Sequence, residues 1–250
     1  MRYKELTFEG RNAVIEAFRS GKTIDKLFIL DGCQDGPIKS IVREAKKTST
    51  IINYVDKERL DRLANTGHHQ GVVAIGAAYE YAEVEDILEA ARSKGEAPFI
   101  FVLDEIEDPH NLGAIIRTAN LAGAHGVIIP KRRAVGLTAT VAKTSAGAIN
   151  YTPVAKVTNI ANTIEALKKE GLWFVCADMG GETMYNLDLK GPIGLVIGNE
   201  GNGVSRLVKE KCDIIVSLPM QGGVSSLNAS AAGAVLLYEV VRQRRVQAGV

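Results

Sequence analysis

The chain has 250 residues, of which 46% are hydrophobic and 24% are charged, and its formal net charge is +1. These values are typical of a globular protein with one large or two small domains, and the near-neutral charge gives no global sign of nucleic-acid binding. The sequence has no apolar run long enough to span a bilayer, no signal-peptide core and three widely spaced cysteines, so we expect a cytoplasmic protein without a disulfide framework or a zinc ribbon.

Residues 1–79 alternate between helix and strand patterns. Apolar residues at helical spacing predict one helix that begins near Arg11 and two more over 38–47 and 56–64. Runs rich in β-branched residues predict strands at 27–30, 51–55 and 71–77. An α/β unit of this length is about the smallest that folds alone, so we expect a separate small domain.

Residues 80–98 form an acidic segment with six acidic and two basic side chains. Helical spacing relates Val84, Ile87, Leu88 and Ala91, which predicts one helix with an apolar stripe. A charge run of this kind is usually a solvated face. We therefore expect a solvated linker helix at 80–98, between the small domain and the rest of the chain.

Residues 99–250 repeat the strand–helix alternation more strongly. Apolar runs predict strands at 99–104, 126–130, near 151–157, 172–178, 195–198 and 214–219. Helical patterns lie between them at 111–122, 138–147, 159–170 and 203–210, and a last helix extends from about Ser225 to Arg242. This order predicts an α/β domain with a parallel sheet covered on both faces, where ligands bind at the carboxyl ends of the strands.

The first unusual loop at these strand ends contains DPHNLGAIIR at 108–117. Asn111 follows Pro109 and is placed to cap the helix that starts beside it. Arg117 lies further along that helix, as a surface or ion-pair residue or as a functional cation. Taken alone, each residue has an ordinary structural explanation.

The second loop is IGNEGNGVS at 197–205, where Glu200 lies among three glycines. Glycines let backbone amides approach a ligand closely. The loop is not a Walker motif, because no Lys-Ser/Thr follows, and it does not come after the first strand of a βαβ unit as a dinucleotide loop does. A structural turn that leads into the next helix is the alternative explanation.

The third loop is LPMQGGVSSLNASAAG at 218–233. Its glycines precede a polar helix start that includes Ser226 and Asn228, and small residues follow. The polar residues suit helix caps, and the small ones suit close helix packing.

Together and in this order, the three loops resemble the signature motifs of the SpoU (TrmH-type) RNA ribose 2′-O-methyltransferases. The resemblance covers 99–250, and FEGRNAVIEAF and HHQGVVAI in the first part resemble an L30e-like substrate-binding domain. It implies a SPOUT-type α/β catalytic domain with a C-terminal trefoil knot, S-adenosylmethionine (SAM) as cofactor and no metal. The two-domain organisation is most similar to members that methylate a guanosine ribose in 23S ribosomal RNA.

The resemblance also implies roles for individual residues. Arg117, positioned by Asn111, would activate the ribose hydroxyl as a base or stabilise the alkoxide as a cation, since a guanidinium is ordinarily protonated. Glu200 would orient Arg117 or a knot amide, and Ser226 with Asn228 would fix the target nucleotide or the cofactor pocket. The residues expected to hold SAM are Gly198, Leu218, Met220 and Leu227.

RNA binding and dimerisation are further expectations. The candidate RNA contacts are basic side chains that could equally form solvated faces, namely Arg11, Arg19, Lys22, Lys131, Arg132 and Arg133. The last helix is apolar on more than one face, which indicates either full burial or a partner. Because these enzymes pair through helices next to the knot, we expect a homodimer.

Three other functions compete with this interpretation. One is a transfer-RNA 2′-O-methyltransferase of the same family, and another is a non-catalytic RNA-binding protein in ribosome assembly. A nucleotide-dependent oxidoreductase is disfavoured, because the glycine loop lies near the C-terminus rather than after the first strand.

Overall fold

The computed structural model describes residues 6–223 and 226–249, and the chain divides into two compact units. The first unit contains the chain up to Glu80 and the short segment Gly136–Ala139, and the second contains Tyr81–Val135 and the chain from Thr140 onward. Within the described ranges, no helix is long and apolar enough to cross a membrane.

A four-stranded mixed sheet and three helices make up the first unit. Its elements are β1 (Leu6–Glu9), α1 (Arg11–Arg19), β2 (Ile24–Leu30), α2 (Gly36–Lys47), β3 (Ile51–Val55), α3 (Lys57–Leu63) and β4 (Val72–Gly76). The strand order is β1-β4-β2-β3, with β2 and β3 parallel and the other pairs antiparallel. The sequence patterns predict every element except β1, a short edge strand.

The core of this unit lies between its sheet and the apolar faces of α1 and α2, where Val14, Ile38 and Ile41 are buried. Aspartate caps fix where two helices begin. The Asp35 carboxylate accepts a hydrogen bond from the Ile38 amide at 3.2 Å, and Asp56 caps α3 in the same way.

A six-stranded parallel sheet forms the second unit, in the order β10-β8-β9-β5-β6-β7. Its strands are β5 (Phe99–Asp104), β6 (Gly126–Pro130), β7 (Val154–Val157), β8 (Trp173–Thr183), β9 (Ile193–Gly198) and β10 (Ile214–Ser217). Its helices are α4 (Val84–Lys94), α5 (Pro109–Leu121), α6 (Ala139–Thr144), α7 (Ile160–Lys169), α8 (Arg206–Lys211) and α9 (Ala229–Ala248), with 3-10 turns at Ala148–Asn150 and Met184–Asn186. The predicted α/β class and parallel sheet are confirmed.

Helices cover both faces of this sheet. Alternate residues of a strand point to opposite faces, so each strand packs against helices on both sides. Ile100 and Val102 of β5 belong to the core cluster that includes α4 and α7. Phe101 faces α9, where a Cβ on Gly233 would lie 2.8 Å from the Phe101 ring. Helix α9 also packs against α5. Burial on both faces explains why the strands are continuous apolar runs.

The acidic segment belongs to the second unit as α4 and is more than a solvated linker. Ile87, Leu88 and Ala91 are buried, and Ile87 and Leu88 join the core cluster of the sheet. A Cβ on Gly126 would lie 2.5 Å from Ile87, so β6 carries a glycine where the helix packs. The acidic side chains stay on the exposed face, where Arg92 pairs with two of them.

The trefoil knot of the C-terminal region stays a prediction, with which the strand order is consistent. The chain passes from β9 to β10, which lies beyond β8, and then returns to α9 beside β9 and α5. Residues 224–225 of the connecting loop lie outside the described residues, so the predicted helix start near Ser225 does too. Helix α9 begins at Ala229, with Asn228 as its cap.

A buried histidine joins α4, β5 and β6 at the amino ends of the strands. The Nδ1 atom of His125 accepts a hydrogen bond from the Phe99 amide at 3.0 Å, and Nε2 lies 3.0 Å from the Glu96 carboxylate. Because Nδ1 is an acceptor, Nε2 carries the proton and donates to Glu96. Burial lowers the pKa of His125, although Glu96 opposes the shift.

Candidate active site

The carboxyl ends of β5 and β9 meet at one edge of the sheet, where Asp104 lies beside Gly198 in the parallel register. The loop after β5 leads into α5, the loop after β9 leads into α8, and residues 218–228 lead into α9. Two of the three signature loops are therefore neighbours through the sheet, and side-chain hydrogen bonds join the third to them.

Asn111 is not the cap of α5, contrary to the structural explanation offered by the sequence. Asp108 caps the helix by accepting a hydrogen bond from the His110 amide at 2.8 Å, and Pro109 occupies the first turn, where its missing N–H is harmless. Asn111 lies inside the first turn and is 7% exposed. Its amide is therefore available to bond other loops.

The Asn111 side chain joins all three signature loops. Its Nδ2 donates to the Glu200 carboxylate in the loop after β9. Its Oδ1 accepts from the Asn228 Nδ2 at 3.0 Å. Asn228 in turn caps α9, since its Oδ1 accepts from the Ser230 amide at 3.0 Å. Three predicted site residues from distant parts of the sequence thus form one hydrogen-bonded chain.

The glycine loop after β9 folds back on itself. A Cβ on Gly198 would lie 2.1 Å from the carbonyl carbon of Gly203 and 2.2 Å from the Val204 amide nitrogen. Gly203 has a φ of 67°, in the left-handed region that favours glycine. The two glycines therefore let backbone pass backbone at close range.

Two polar residues that hold these loops together are absent from the sequence prediction. Asp104 is buried, and its carboxylate accepts from the Ser205 amide at 2.7 Å, which fixes the start of α8. Asn199 accepts from the Gly201 amide at 2.8 Å and donates to the Glu105 carbonyl at 3.1 Å. The available signal was an acid at the end of a buried strand and an asparagine next to turn glycines.

Arg117 does not join the network. It is exposed, and it makes no hydrogen bond or ion pair with any residue in the described part of the chain. Six residues along a helix correspond to a rotation of roughly 120° away from Asn111. Within this chain Asn111 and Glu200 bond each other and neither contacts Arg117, so the roles expected of Asn111 and Glu200 toward Arg117 stay predictions.

The residues expected to hold the cofactor lie around the same loops with different exposure. Gly198 is buried and Leu218 is half-buried, whereas Met220 and Leu227 are exposed apolar side chains at 41% and 43%. Ser226 is also exposed. Among residues 6–223 and 226–249, no group of histidine, cysteine and acidic side chains is arranged to hold a metal ion.

The basic candidates divide by unit. In the first unit, the Arg11 guanidinium donates hydrogen bonds to the Asp35 carboxylate at 2.6 Å and to the Gln70 carbonyl at 3.2 Å. Arg19 and Lys22 are exposed. Arg11 thus has a structural role at the start of α1.

In the second unit, the basic candidates form the loop after β6. Lys131 is half-buried, and Arg132 and Arg133 are exposed. One nitrogen of Arg133 donates to the Glu105 carboxylate at 2.7 Å. This loop therefore lies beside the loop after β5, at the edge of the sheet that carries the candidate site.

Comparison with known proteins defines the class. Residues 98–238 match the SpoU rRNA Methylase family, and residues 8–82 match a domain described as RNA 2′-O ribose methyltransferase substrate binding. A Bacillus subtilis protein named for the TrmH family of tRNA/rRNA methyltransferases is 53% identical over 236 residues, covering 94% of each chain. A Staphylococcus saprophyticus protein named for the same family is 48% identical over 242 residues, covering 96% of this chain and 97% of that protein.

Solved structures agree with this class. The SpoU methyltransferase AviRb from Streptomyces viridochromogenes, in complex with AdoMet, matches with a TM-score of 0.61 and 28% identity, covering 96% of this chain and 90% of that one. The TrmH/SpoU tRNA modifying enzyme of A. aeolicus matches with a TM-score of 0.54 and 27% identity, covering 66% of this chain and 85% of that one. The chain therefore belongs to the SpoU rRNA methylase family, a family of RNA methyltransferases.

Proposed function

We propose that this protein transfers a methyl group from SAM to a ribose 2′-hydroxyl of RNA, and that its target is a guanosine of 23S ribosomal RNA, as in RlmB-type members of the family. The observation that carries the proposal is the hydrogen-bonded chain of Asn111, Glu200 and Asn228. It brings the three signature loops to one edge of the sheet, where parallel α/β folds bind ligands.

The loops around Gly198 have the chemistry to hold SAM. The glycine turn supplies main-chain groups at close range, and the exposed Met220 and Leu227 offer apolar contact to an adenine ring. Bound SAM supplies a methyl group on a positively charged sulfur. The network of Asn111 would keep the cofactor loop and the start of α9 in one arrangement while the RNA binds.

Arg117 is the proposed catalytic group for the hydroxyl proton. It would act as a base activated by substrate phosphate or as a cation that stabilises the alkoxide. Its exposure, away from Asn111, fits a role toward a second subunit's site. Apolar side chains exposed on the paired helices α5 and α9 support a C2 dimer; they are Leu121, Val235 and Tyr238.

The 23S rRNA target is proposed from the first unit, which matches a substrate-binding domain of RNA 2′-O ribose methyltransferases. Such a substrate implies a cytoplasmic site of action. The relatives named for both tRNA and rRNA keep a transfer-RNA target as the second candidate. A non-catalytic assembly factor is disfavoured, because every signature residue is present and the network is intact.

The test is mass-spectrometric mapping of 2′-O-methyl groups in total RNA from cells with and without this gene. We expect one 2′-O-methylguanosine of 23S rRNA to disappear, and complementation with the wild-type gene to restore it. Loss of a tRNA methyl group instead would reassign the substrate, and no lost methyl group would refute the activity. Calorimetry with SAM, and with NAD as control, tests the cofactor separately.

A further inference from the structure

Glu105 connects the loop after β5 to both loops beside it. Its backbone carbonyl accepts from the Asn199 Nδ2 in the glycine loop at 3.1 Å, and its carboxylate accepts from Arg133 at 2.7 Å. The neighbouring Ile106 carbonyl accepts from the Val135 amide at 3.0 Å. Glu105 thus contacts the glycine loop on one side and the basic loop 131–135 on the other.

The basic loop is held at three points. The Lys131 amide bonds the Val157 carbonyl at 2.8 Å, Val135 bonds Ile106, and Arg133 bonds Glu105 between them. Its cationic side chains are therefore presented from a fixed backbone, next to the loop that leads to Asn111.

Both members of the ion pair have a left-handed backbone, with φ of 61° at Glu105 and 53° at Arg133. This conformation is uncommon and costly for residues other than glycine. The pair is also exposed, 74% at Arg133 and 26% at Glu105, and exposed ion pairs contribute little to stability. Stability therefore does not explain why two strained residues are paired here.

The hydrogen-bonding capacity of Arg133 suggests what the pair does. A guanidinium has five N–H donors in a planar fork, and Glu105 uses one nitrogen of it. The remaining donors can bind a phosphate bidentately while Glu105 fixes the plane of the fork.

We propose that Arg133 binds a backbone phosphate of the RNA substrate and that Glu105 is the positioning residue that orients it. The inference rests on the proposed function and deepens it, because it assigns a phosphate contact beside the methylation site. Glu105 does not touch the reacting atoms in this scheme. It acts through Arg133, so its effect belongs to RNA binding and not to the chemical step.

The sign of the effect separates positioning from simple electrostatics. Removing a carboxylate near an RNA-binding surface should by itself strengthen RNA binding, because it removes repulsion of phosphate. A positioning role predicts the opposite. The informative variant is Glu105→Asn, because asparagine tolerates the left-handed backbone, while its shorter side chain loses the contact with Arg133.

The experiment measures binding and methylation of unmodified 23S rRNA transcribed in vitro. Glu105→Asn and Arg133→Ala are each expected to raise the RNA Kd and KM about three- to fivefold, with kcat, SAM affinity and Tm close to wild type. The double variant Glu105→Asn/Arg133→Ala is expected to bind RNA no more weakly than Arg133→Ala alone, because Glu105 acts through Arg133. Glu85→Ala, which removes an exposed carboxylate of α4 paired with Arg92, is the control for charge alone.

RNA binding by Glu105→Asn that equals or exceeds wild type would overturn the proposal, and so would a fall in kcat with an unchanged KM. The proposed function fails separately, if wild-type protein binds this RNA and SAM but transfers no methyl group. In that case the Kd values of the same variants still decide whether Glu105 positions Arg133.

Discussion

Gly198→Ala is the sharpest test of the glycine loop, because the added methyl group has no space. It would lie 2.1–2.2 Å from three backbone atoms of Gly203 and Val204. Contacts below 3 Å cannot be relieved by a side-chain rotation when the neighbour is main chain. The loop itself must move away from β9, and with it Glu200, which bonds Asn111.

The expected cost follows from the kind of atoms that clash. Overpacking a dense site costs about 1–3 kcal/mol, and a backbone clash belongs at the upper end, about 3 kcal/mol. At roughly 2–4 °C per kcal/mol for a domain of this size, the Tm of the second unit should fall by roughly 6–12 °C. The SAM affinity should fall at least about tenfold, because the displaced loop is the proposed cofactor site.

Two neighbouring glycines supply matched controls. A Cβ on Gly201 meets the Asn199 Oδ1 at 3.3 Å, so Gly201→Ala should be mild. Gly203 has open space around its Cβ position but a left-handed φ, so Gly203→Ala should cost about 1–2 kcal/mol through backbone strain. Calorimetric unfolding and SAM titration give both quantities. A Gly198→Ala variant with the Tm and SAM affinity of Gly201→Ala would refute the steric argument.

Four further predictions concern the site and the fold. Asn111→Ala should reduce both methyl transfer and SAM affinity at least about tenfold, because it removes the hydrogen bonds that join three loops. His110→Ala, at the exposed neighbouring residue, should bind SAM like wild type, and equal SAM affinities of the two variants would contradict this prediction. Arg117→Ala should abolish methyl transfer with SAM affinity retained, and single-turnover rates within a few-fold of wild type would remove it from the mechanism. The pKa of His125 in the folded protein lies below its usual 6.5, so below about pH 6.5 the unfolded state binds the extra proton and the free energy of unfolding should fall as the pH drops. His125→Gln should make the free energy of unfolding less dependent on pH in chemical denaturation, and the same pH dependence in both proteins would contradict this prediction. Light scattering should report a mass of about twice 26.8 kDa, and an active monomer would exclude the dimer.

The order of strands and helices was predictable, because it depends on local patterns. Continuous β-branched runs such as FIFVLD and GVIIP indicate strands buried on both faces, and these runs occupy β5 and β6. β1 escaped prediction because a four-residue edge strand is too short for periodicity to reveal. The burial of α4 was not predicted, for a different reason. An apolar stripe shows that a helix packs against something, but it does not show which sheet receives it.

The sequence indicated several residues of the candidate site but not the hydrogen bonds between them. Motif resemblance selects Asn111, Glu200 and Asn228, but their contact depends on which strands become neighbours, and no local pattern determines that. The exposure of Arg117 shows the same limit, because the position of a residue around α5 decides whether it faces the loop after β9 and the start of α9. The Asp104 carboxylate and the Glu105 carbonyl bond the loop after β9, and the sequence does not show which loop lies next to them.

The Asn111–Asn228 bond also has a consequence for synthesis of the chain. The two residues are 117 positions apart, so at about 5–20 residues per second Asn228 is made roughly 6–23 s after Asn111. During that interval the buried amide of Asn111 has no α9 to bond, and the apolar face of β5 lacks the helix that covers Phe101. Chains that depend on contacts of such long sequence separation fold slowly, and their apolar surface stays exposed until those contacts form. The nascent second unit therefore exposes the face of β5 that α9 covers until its last helix is made, and a chain released before residue 228 lacks the residue that joins α9 to Asn111.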